Sequence, residues 1–201
     1  LSNDANKPAS LCVFCSSSAN AVRGAWREHA LVLGRALAAR GIRLIYGGAH
    51  VGLMGVLADA VLRNGGEVIG VIPRALLRKE VAHPELSRLE IVESMHERKA
   101  RMAELAGGFI ALPGGMGTLD ELFEILTWRQ LGMHAKACGL LDSAGYYRPL
   151  LAFLAEGERQ GLIRPAVEEL LLVDDEPERL LERLIQSRPR PRRPVIGPAE
   201  T

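Results

Sequence analysis

Three observations predict an α/β fold, a single domain built on a doubly wound parallel sheet. Short apolar stretches bounded by Gly, Pro or Ser recur along the chain and read as strands. Segments of helical periodicity separate most of them, the alternation expected of parallel strands joined by crossover helices. Two of the strand-to-helix junctions are rich in glycine, and open α/β sheets bind ligands beyond the carboxyl ends of their strands.

The polar start, residues 1–10, reads as a flexible N-terminus, and the folded domain is expected to span 11–187. Leu11 to Cys15 makes the first strand, followed by Ser16-Ser17-Ser18 and a helix from Val22 to Arg40. Ile42 to Tyr46 makes the second. It runs into Gly47-Gly48, ahead of Gly52 and Gly55, glycines that suit a tight turn or close helix–sheet packing, and a helix from Gly52 to Asn64. Glu67 to Ile72 is the third strand. Pro73 to Ser87 is irregular and charged, with Arg74, Arg78, Lys79, Glu80 and His83, and reads either as a substrate-covering loop or as an ordinary solvated connection. Leu89 to Val92 then leads to a helix from Met95 to Ala106, and Gly108 to Leu112 to a helix from Leu119 to Leu131. The last strand is expected at Ala137 to Leu141, with helices at Pro149 to Gln160 and near Pro177 to Gln186. The stretch SRPRPRRP cannot continue a helix, so 188–201 reads as a flexible Pro/Arg-rich tail.

With 201 residues and 48% hydrophobic content, the chain can bury one substantial core. A net charge of +1 carries no footprint for a nucleic acid polymer. No apolar run approaches the roughly 20 residues that span a bilayer, and Leu1 to Ser10 does not resemble a signal peptide, so no membrane partner and a cytoplasmic location are expected. Cys12 and Cys15 lie three apart in a strand and therefore face opposite sides, as core residues and not as a redox pair. The histidines at 29, 50, 83, 96 and 134 show no paired ligand spacing, and no catalytic metal is expected.

The most informative stretch is Pro113-Gly114-Gly115-Met116-Gly117-Thr118-Leu119-Asp120-Glu121. Its glycines admit close backbone approach by an anion, and the helix that follows offers unpaired N–H groups and the positive end of its dipole. No Gly-Lys-Ser/Thr follows, so a monophosphate fits better than a triphosphate with magnesium. Glu121 would repel the phosphate itself and so faces another part of the ligand. Thr118-x-x-Glu121 is equally a capping box, and spacing leaves both readings open. On the helix from Met95, Arg98, Lys99 and Met102 share one stripe, while Glu97 and Arg101 are spaced as a pair on the opposite, solvent face. Inward cations at the ligand edge of a sheet call for an anion, either a ligand or a carboxylate such as Glu93 or Glu121.

The combination Tyr46-Gly47-Gly48-x-x-x-Gly52-Leu53-Met54-Gly55, Met95-His96-Glu97-Arg98-Lys99 and Pro113-Gly114-Gly115-x-Gly117-Thr118-x-x-Glu121 resembles the LOG (Lonely Guy) family. The likeness runs from about Leu11 to Leu184 and takes in Thr127-Trp128-x-Gln130-Leu131-Gly132 and Gly145-Tyr146-Tyr147. It departs at Ser16 and Met116, where glycine and tyrosine are common, and at Asp120, where glutamate is common. The resemblance implies a Rossmann-like fold, a homodimer, and hydrolysis of the N-glycosidic bond of cytokinin riboside 5′-monophosphates or AMP without a cofactor. A free base and ribose 5-phosphate are the products it implies. It further implies catalytic roles for Arg98 and Glu121, and nucleoside 5′-monophosphate contacts from Glu80, Arg98, Lys99, Gly114, Gly115, Met116, Gly117, Thr118 and Thr127.

Overall fold

Strands form where the apolar stretches lie: β1 (Ser10–Phe14), β2 (Arg43–Tyr46), β3 (Val68–Pro73), β4 (Arg88–Val92), β5 (Gly108–Ala111), β6 (Ala137–Leu141) and β7 (Leu172–Asp174). In the computed structural model, which describes residues 9–77, 82–164 and 166–187, all seven pair in parallel in the order β4-β3-β2-β1-β5-β6-β7. The expectations for Glu80, for most of 1–10 and for 188–201 lie outside the described residues. The helices are α1 (Gly24–Ala39), α2 (Gly52–Arg63), α3 (Met95–Leu105), α4 (Met116–Gln130), α5 (Arg148–Arg159), α6 (Val167–Leu170) and α7 (Pro177–Gln186).

Helices cover both faces of the sheet, which is why β1, β3, β5 and β6 are buried along their whole length. Leu33 and Leu37 of α1, Leu53 and Leu57 of α2, and Leu180 and Leu184 of α7 pack with Leu11, Val13 and Cys15 on one face. Met102 of α3, Leu122 and Ile125 of α4, and Leu170 of α6 pack with Cys12 and Phe14 on the other. Cys12 and Cys15 thus point to opposite sides as expected, and both thiols are free.

The strand order turns back at β1, which has β2 on one side and β5 on the other. A crevice opens between the carboxyl ends of strands at such a switch point. Ser16-Ser17-Ser18 and the Pro113 turn meet there, joined by a hydrogen bond from Ser16 N–H to Pro113 O at 3.2 Å. The β2 turn joins them because Gly52, at φ +62°, lies so close that a Cβ would fall 2.5 Å from the Ser16 carbonyl oxygen. The next amide, Leu53 N–H, donates to that oxygen at 2.9 Å.

Two boundaries differ from expectation with consequences. A 3-10 turn, Ala19–Ala21, precedes α1, and Ser18 caps it by accepting from Asn20 N–H at 3.3 Å. More important, α4 starts at Met116 and not at Leu119, with Gly115 as its cap. Sequence reading also missed α6 and β7. Asp174 of β7 is fastened to α7 through Arg179 and Arg183, so tertiary ion pairs support a strand too short to declare itself.

Candidate active site

Ser94 caps α3 by accepting from Glu97 N–H at 3.1 Å, and the Glu97 carboxylate accepts from Glu93 N–H at 2.8 Å. This reciprocal cap fixes the first turn of α3. It also engages Glu97 away from Arg101, whose partners are Glu90 and Glu104, so the expected Glu97–Arg101 pair is replaced by a cap. Arg98, one turn in, projects toward the sheet. Its Nε donates to the Val71 carbonyl at 3.1 Å, and its Nη1 lies 3.3 Å from Glu121 Oε1. Both side chains are almost fully buried, with 8% and 10% exposed, so each ion depends on the other and on nearby polar groups.

Gly47 makes room for this arrangement, since a Cβ there would fall 2.1 Å from Arg98 Nη2. Gly114 does the same for Thr118: a Cβ would meet the threonine Oγ1 at 2.0 Å. Gly115 caps α4 without a side chain, and the first helical bond runs from Leu119 N–H to Gly115 O at 3.1 Å. The amides before Leu119 therefore have no intrahelical acceptor and are available to an anion. Because the helix starts at Met116, Thr118 is already inside it. The capping-box reading of Thr118 and Glu121 is thereby excluded, and Glu121 reaches instead to Arg98.

These groups line a cleft of about 260 Å³, bounded by Ser16, Ser17 and Ser18 at the end of β1, Gly47 at the end of β2, and Gly115 to Thr118 of the glycine turn, with Arg98 and Glu121 at its side. Met116 stands at its rim, 84% exposed. Phe14, Met54 and Met102 add an apolar wall that sequence reading did not assign to the site. Met102 lies one turn beyond Arg98 on the inward stripe of α3, so its place could have been inferred. Cys15 also borders the cleft, but burial pushes its thiol far above the ordinary range, which removes it as a nucleophile.

Not every expected contact lies in the cleft. Lys99 Nζ is held at 3.1 Å from Asp120 and 3.0 Å from Glu124, tying α3 to α4 beside the Arg98–Glu121 pair. Thr127 is exposed on α4, about 16 Å along the helix from Met116 at 1.5 Å per residue. Tyr146 and Tyr147, by contrast, support the glycine turn: their hydroxyls donate to Gly114 O and Leu112 O, each at 2.7 Å.

Folding also gathers His50, Asp59 and His83, which no sequence spacing linked, with potential ligand atoms within 4.8 Å of one another. The buried His83 is already committed. Its Nδ1 accepts from Glu85 N–H at 3.2 Å, so Nε2 carries the proton and donates to Asp59 Oδ1 at 3.1 Å. A metal at Nε2 would displace that proton and leave Nδ1 without one, so the pair acts as a clasp between α2 and the segment before β4.

Residues 54–184 match a family model described as "Possible lysine decarboxylase". A cytokinin riboside 5′-monophosphate phosphoribohydrolase of Rhodococcoides fascians is 49% identical over 168 residues, covering 83% of this chain and 84% of its own. The Arabidopsis thaliana cytokinin riboside 5′-monophosphate phosphoribohydrolase LOG1 is 42% identical over 180 residues, covering 90% and 84%. Among solved structures, a molybdenum cofactor carrier protein of Chlamydomonas reinhardtii superposes with a TM-score of 0.65 at 19% identity, covering 88% of this chain and 96% of that one, a likeness of fold alone. The motifs around Arg98 and Glu121 sit in this fold within a sequence alike over most of its length to these hydrolases, and the chain belongs to the LOG family of cytokinin riboside 5′-monophosphate phosphoribohydrolases.

Proposed function

We propose that this cleft hydrolyses the N-glycosidic bond of cytokinin riboside 5′-monophosphates and of AMP, releasing an adenine-type base and ribose 5-phosphate. The observation that carries the reading is the buried Arg98–Glu121 pair beside the open amides of the α4 N-terminus. The amides from Gly115 to Thr118 hold the phosphate, and that anchorage turns binding energy into orientation of the sugar. As the C1′–N bond breaks, its electron pair leaves with the base and positive charge develops on the ribose. Glu121 stabilises that charge and orients the water that adds to C1′ and then releases its proton. Arg98 is an electrostatic and hydrogen-bonding partner, because a guanidinium does not give up its proton at physiological pH; the base takes its proton from solvent. No metal or cofactor enters this sequence.

Lys99 positions α4 through Asp120 and Glu124 in this reading, in addition to the ligand contact the resemblance implies. The competing outcome is nucleotide binding by the same glycine turn without turnover. Decarboxylation through a Schiff base has no candidate amine among the described residues, where Lys99 engages two carboxylates and Lys136 donates to the Ala103 carbonyl.

We further propose a cytoplasmic homodimer. Exposed Thr127 can serve a nucleotide only if a second chain brings it to a cleft, and light scattering at the mass of one chain, 21.8 kDa, would remove both the dimer and that role. The deciding experiment incubates the protein with AMP and with isopentenyladenosine 5′-monophosphate, without metal, and separates the products by chromatography. Base and ribose 5-phosphate are expected, with turnover about 10²–10³-fold lower in Glu121→Gln. Intact nucleotides despite measured binding would select the carrier instead.

A further inference from the structure

The geometry points to Tyr146 as a positioning residue for phosphate recognition, which its hydroxyl accomplishes by fixing the peptide that carries the Gly115 N–H. This rests on the proposed phosphate site. Tyr146 Oη donates to the Gly114 carbonyl oxygen at 2.7 Å. In a trans peptide, C=O and N–H point in opposite directions, so pinning the Gly114 oxygen toward Tyr146 turns the Gly115 N–H away from it. Gly115, with Ser16 and Ser18, borders two cavities, one of about 230 Å³ that Tyr146 and Trp26 line, the other the cleft of Arg98 and Glu121, which Tyr146 does not reach. Away from Tyr146 is therefore toward the cleft. A carbonyl already accepting a hydrogen bond also polarises its peptide, which makes the amide a stronger donor.

Gly115 has no side chain to settle this orientation, and although its carbonyl accepts the first α4 bond, the Gly114–Gly115 peptide that carries its N–H stands ahead of the helix ladder. The phenol supplies the restraint, and it is itself restrained. Its ring meets Trp26 edge-on at 5.3 Å and Tyr147 at 4.9 Å, and Trp26 Nε1 donates to the Ser143 carbonyl at 3.2 Å. Ala144 and Gly145 both adopt left-handed conformations, φ 56° and 73°, which reverse the chain and present the two adjacent tyrosines to the end of β5.

Tyr147 provides the internal contrast. Its hydroxyl donates to Leu112 O at 2.7 Å, but that carbonyl belongs to the peptide of Pro113, which has no N–H to aim. Both hydroxyls brace the turn, but the backbone amide that Tyr147 meets, Gly114 N–H, is spent on the phenol oxygen itself, whereas Tyr146 turns the Gly115 amide away from itself and leaves it free for an anion.

Calorimetric titration of the wild-type protein, Y146F and Y147F with ribose 5-phosphate and with adenosine separates the two roles, with thermal unfolding as the control on folding. In Y146F, ribose 5-phosphate binding is expected to weaken about tenfold, while adenosine binding stays within twofold; kcat/KM for AMP falls by at least the same factor, because the phosphate also orients the sugar. In Y147F, any loss is expected to fall on thermal stability without preference for the phosphorylated ligand. Equal losses for both ligands in Y146F, or none, would overturn the inference while leaving the phosphate site standing. Failure of the wild-type protein to bind ribose 5-phosphate would overturn the phosphate site, and the inference with it.

Discussion

Gly47 and Arg98 are matched by volume, and the match is more demanding than the glycine's backbone conformation requires. A methyl group at 47 would overlap Nη2 at 2.1 Å and press on Met54 Sδ at 3.1 Å. Both are ends of flexible side chains, so the fold can yield, but the guanidinium cannot yield and stay where it is. Gly47→Ala is therefore expected to fold with little loss of thermal stability and to lose about 10²-fold in kcat/KM, the scale of a misplacement near 1 Å. Steady-state kinetics and a melting curve check both halves; wild-type turnover would show that the position of Arg98 is not critical. At this scale the sequence was informative about which residues matter and less so about their partners. The 3.6-residue period placed Arg98 inward, as observed. Nothing local distinguished Glu121 as a capping residue from Glu121 as a partner of Arg98, because the deciding fact is the approach of another helix. Glu93 illustrates the same limit: offered as a partner for the α3 cations, it pairs with Arg74 across 19 residues of sequence.

Secondary-structure elements were legible where an apolar pattern is bounded by glycine, proline or serine, and illegible where a tertiary contact sustains them. β1, β2 and α2 lie within a residue or two of expectation. The start of α4 was misplaced by three residues because Thr118 and Glu121 imitate a cap, whereas the observed cap at Gly115 owes nothing to a side chain. β7 has three residues and depends on the ion pairs of Asp174. The turn that presents Tyr146 and Tyr147 was likewise visible only as a motif. Its exposed Ala144 sits at φ 56°, where a Cβ is crowded by the backbone and glycine is not. Ala144→Gly removes that crowding at no cost in packing, and is expected to raise stability by about 1 kcal/mol. An increase in the denaturant midpoint at unchanged m-value would show it; a decrease would mean that the methyl group holds the turn in place.

At the scale of the whole molecule, the order β4-β3-β2-β1-β5-β6-β7 brings together three loops, at Ser16 to Ser18, at Gly47 and at Gly115 to Thr118, and the site exists only because of that order. Composition and alternation predicted the class of fold and the end of the sheet where chemistry belongs, since both follow from rules that hold for every sheet of this kind. They could not predict how the connection between α4 and β6 folds back on α4, where His134 provides a handle on global stability. Its Nε2 donates to Ile125 O at 3.0 Å and its Nδ1 accepts from Lys136 N–H at 3.1 Å, so the folded protein holds the neutral ring between two elements. Burial, with smaller contributions from Lys136 and Arg129, outweighs the Ile125 hydrogen bond and lowers its pKa from 6.5 to about 4. As pH falls below 6.5 the unfolded chain takes up a proton at this position and the folded protein does not, so the unfolded state gains. Stability contributed by the neutral ring is thus complete above pH 6.5, declines between 6.5 and about 4, and declines no further once the folded state also protonates. His134→Asn keeps an acceptor near Lys136 N–H and removes the titration. Melting temperatures measured from pH 7.5 to 4.5 should fall more steeply for the wild-type protein than for H134N, the carboxylate contributions being common to both. Parallel slopes would mean that His134 takes up its proton without unfolding, and that the contact between α4 and the approach to β6 opens locally to admit it.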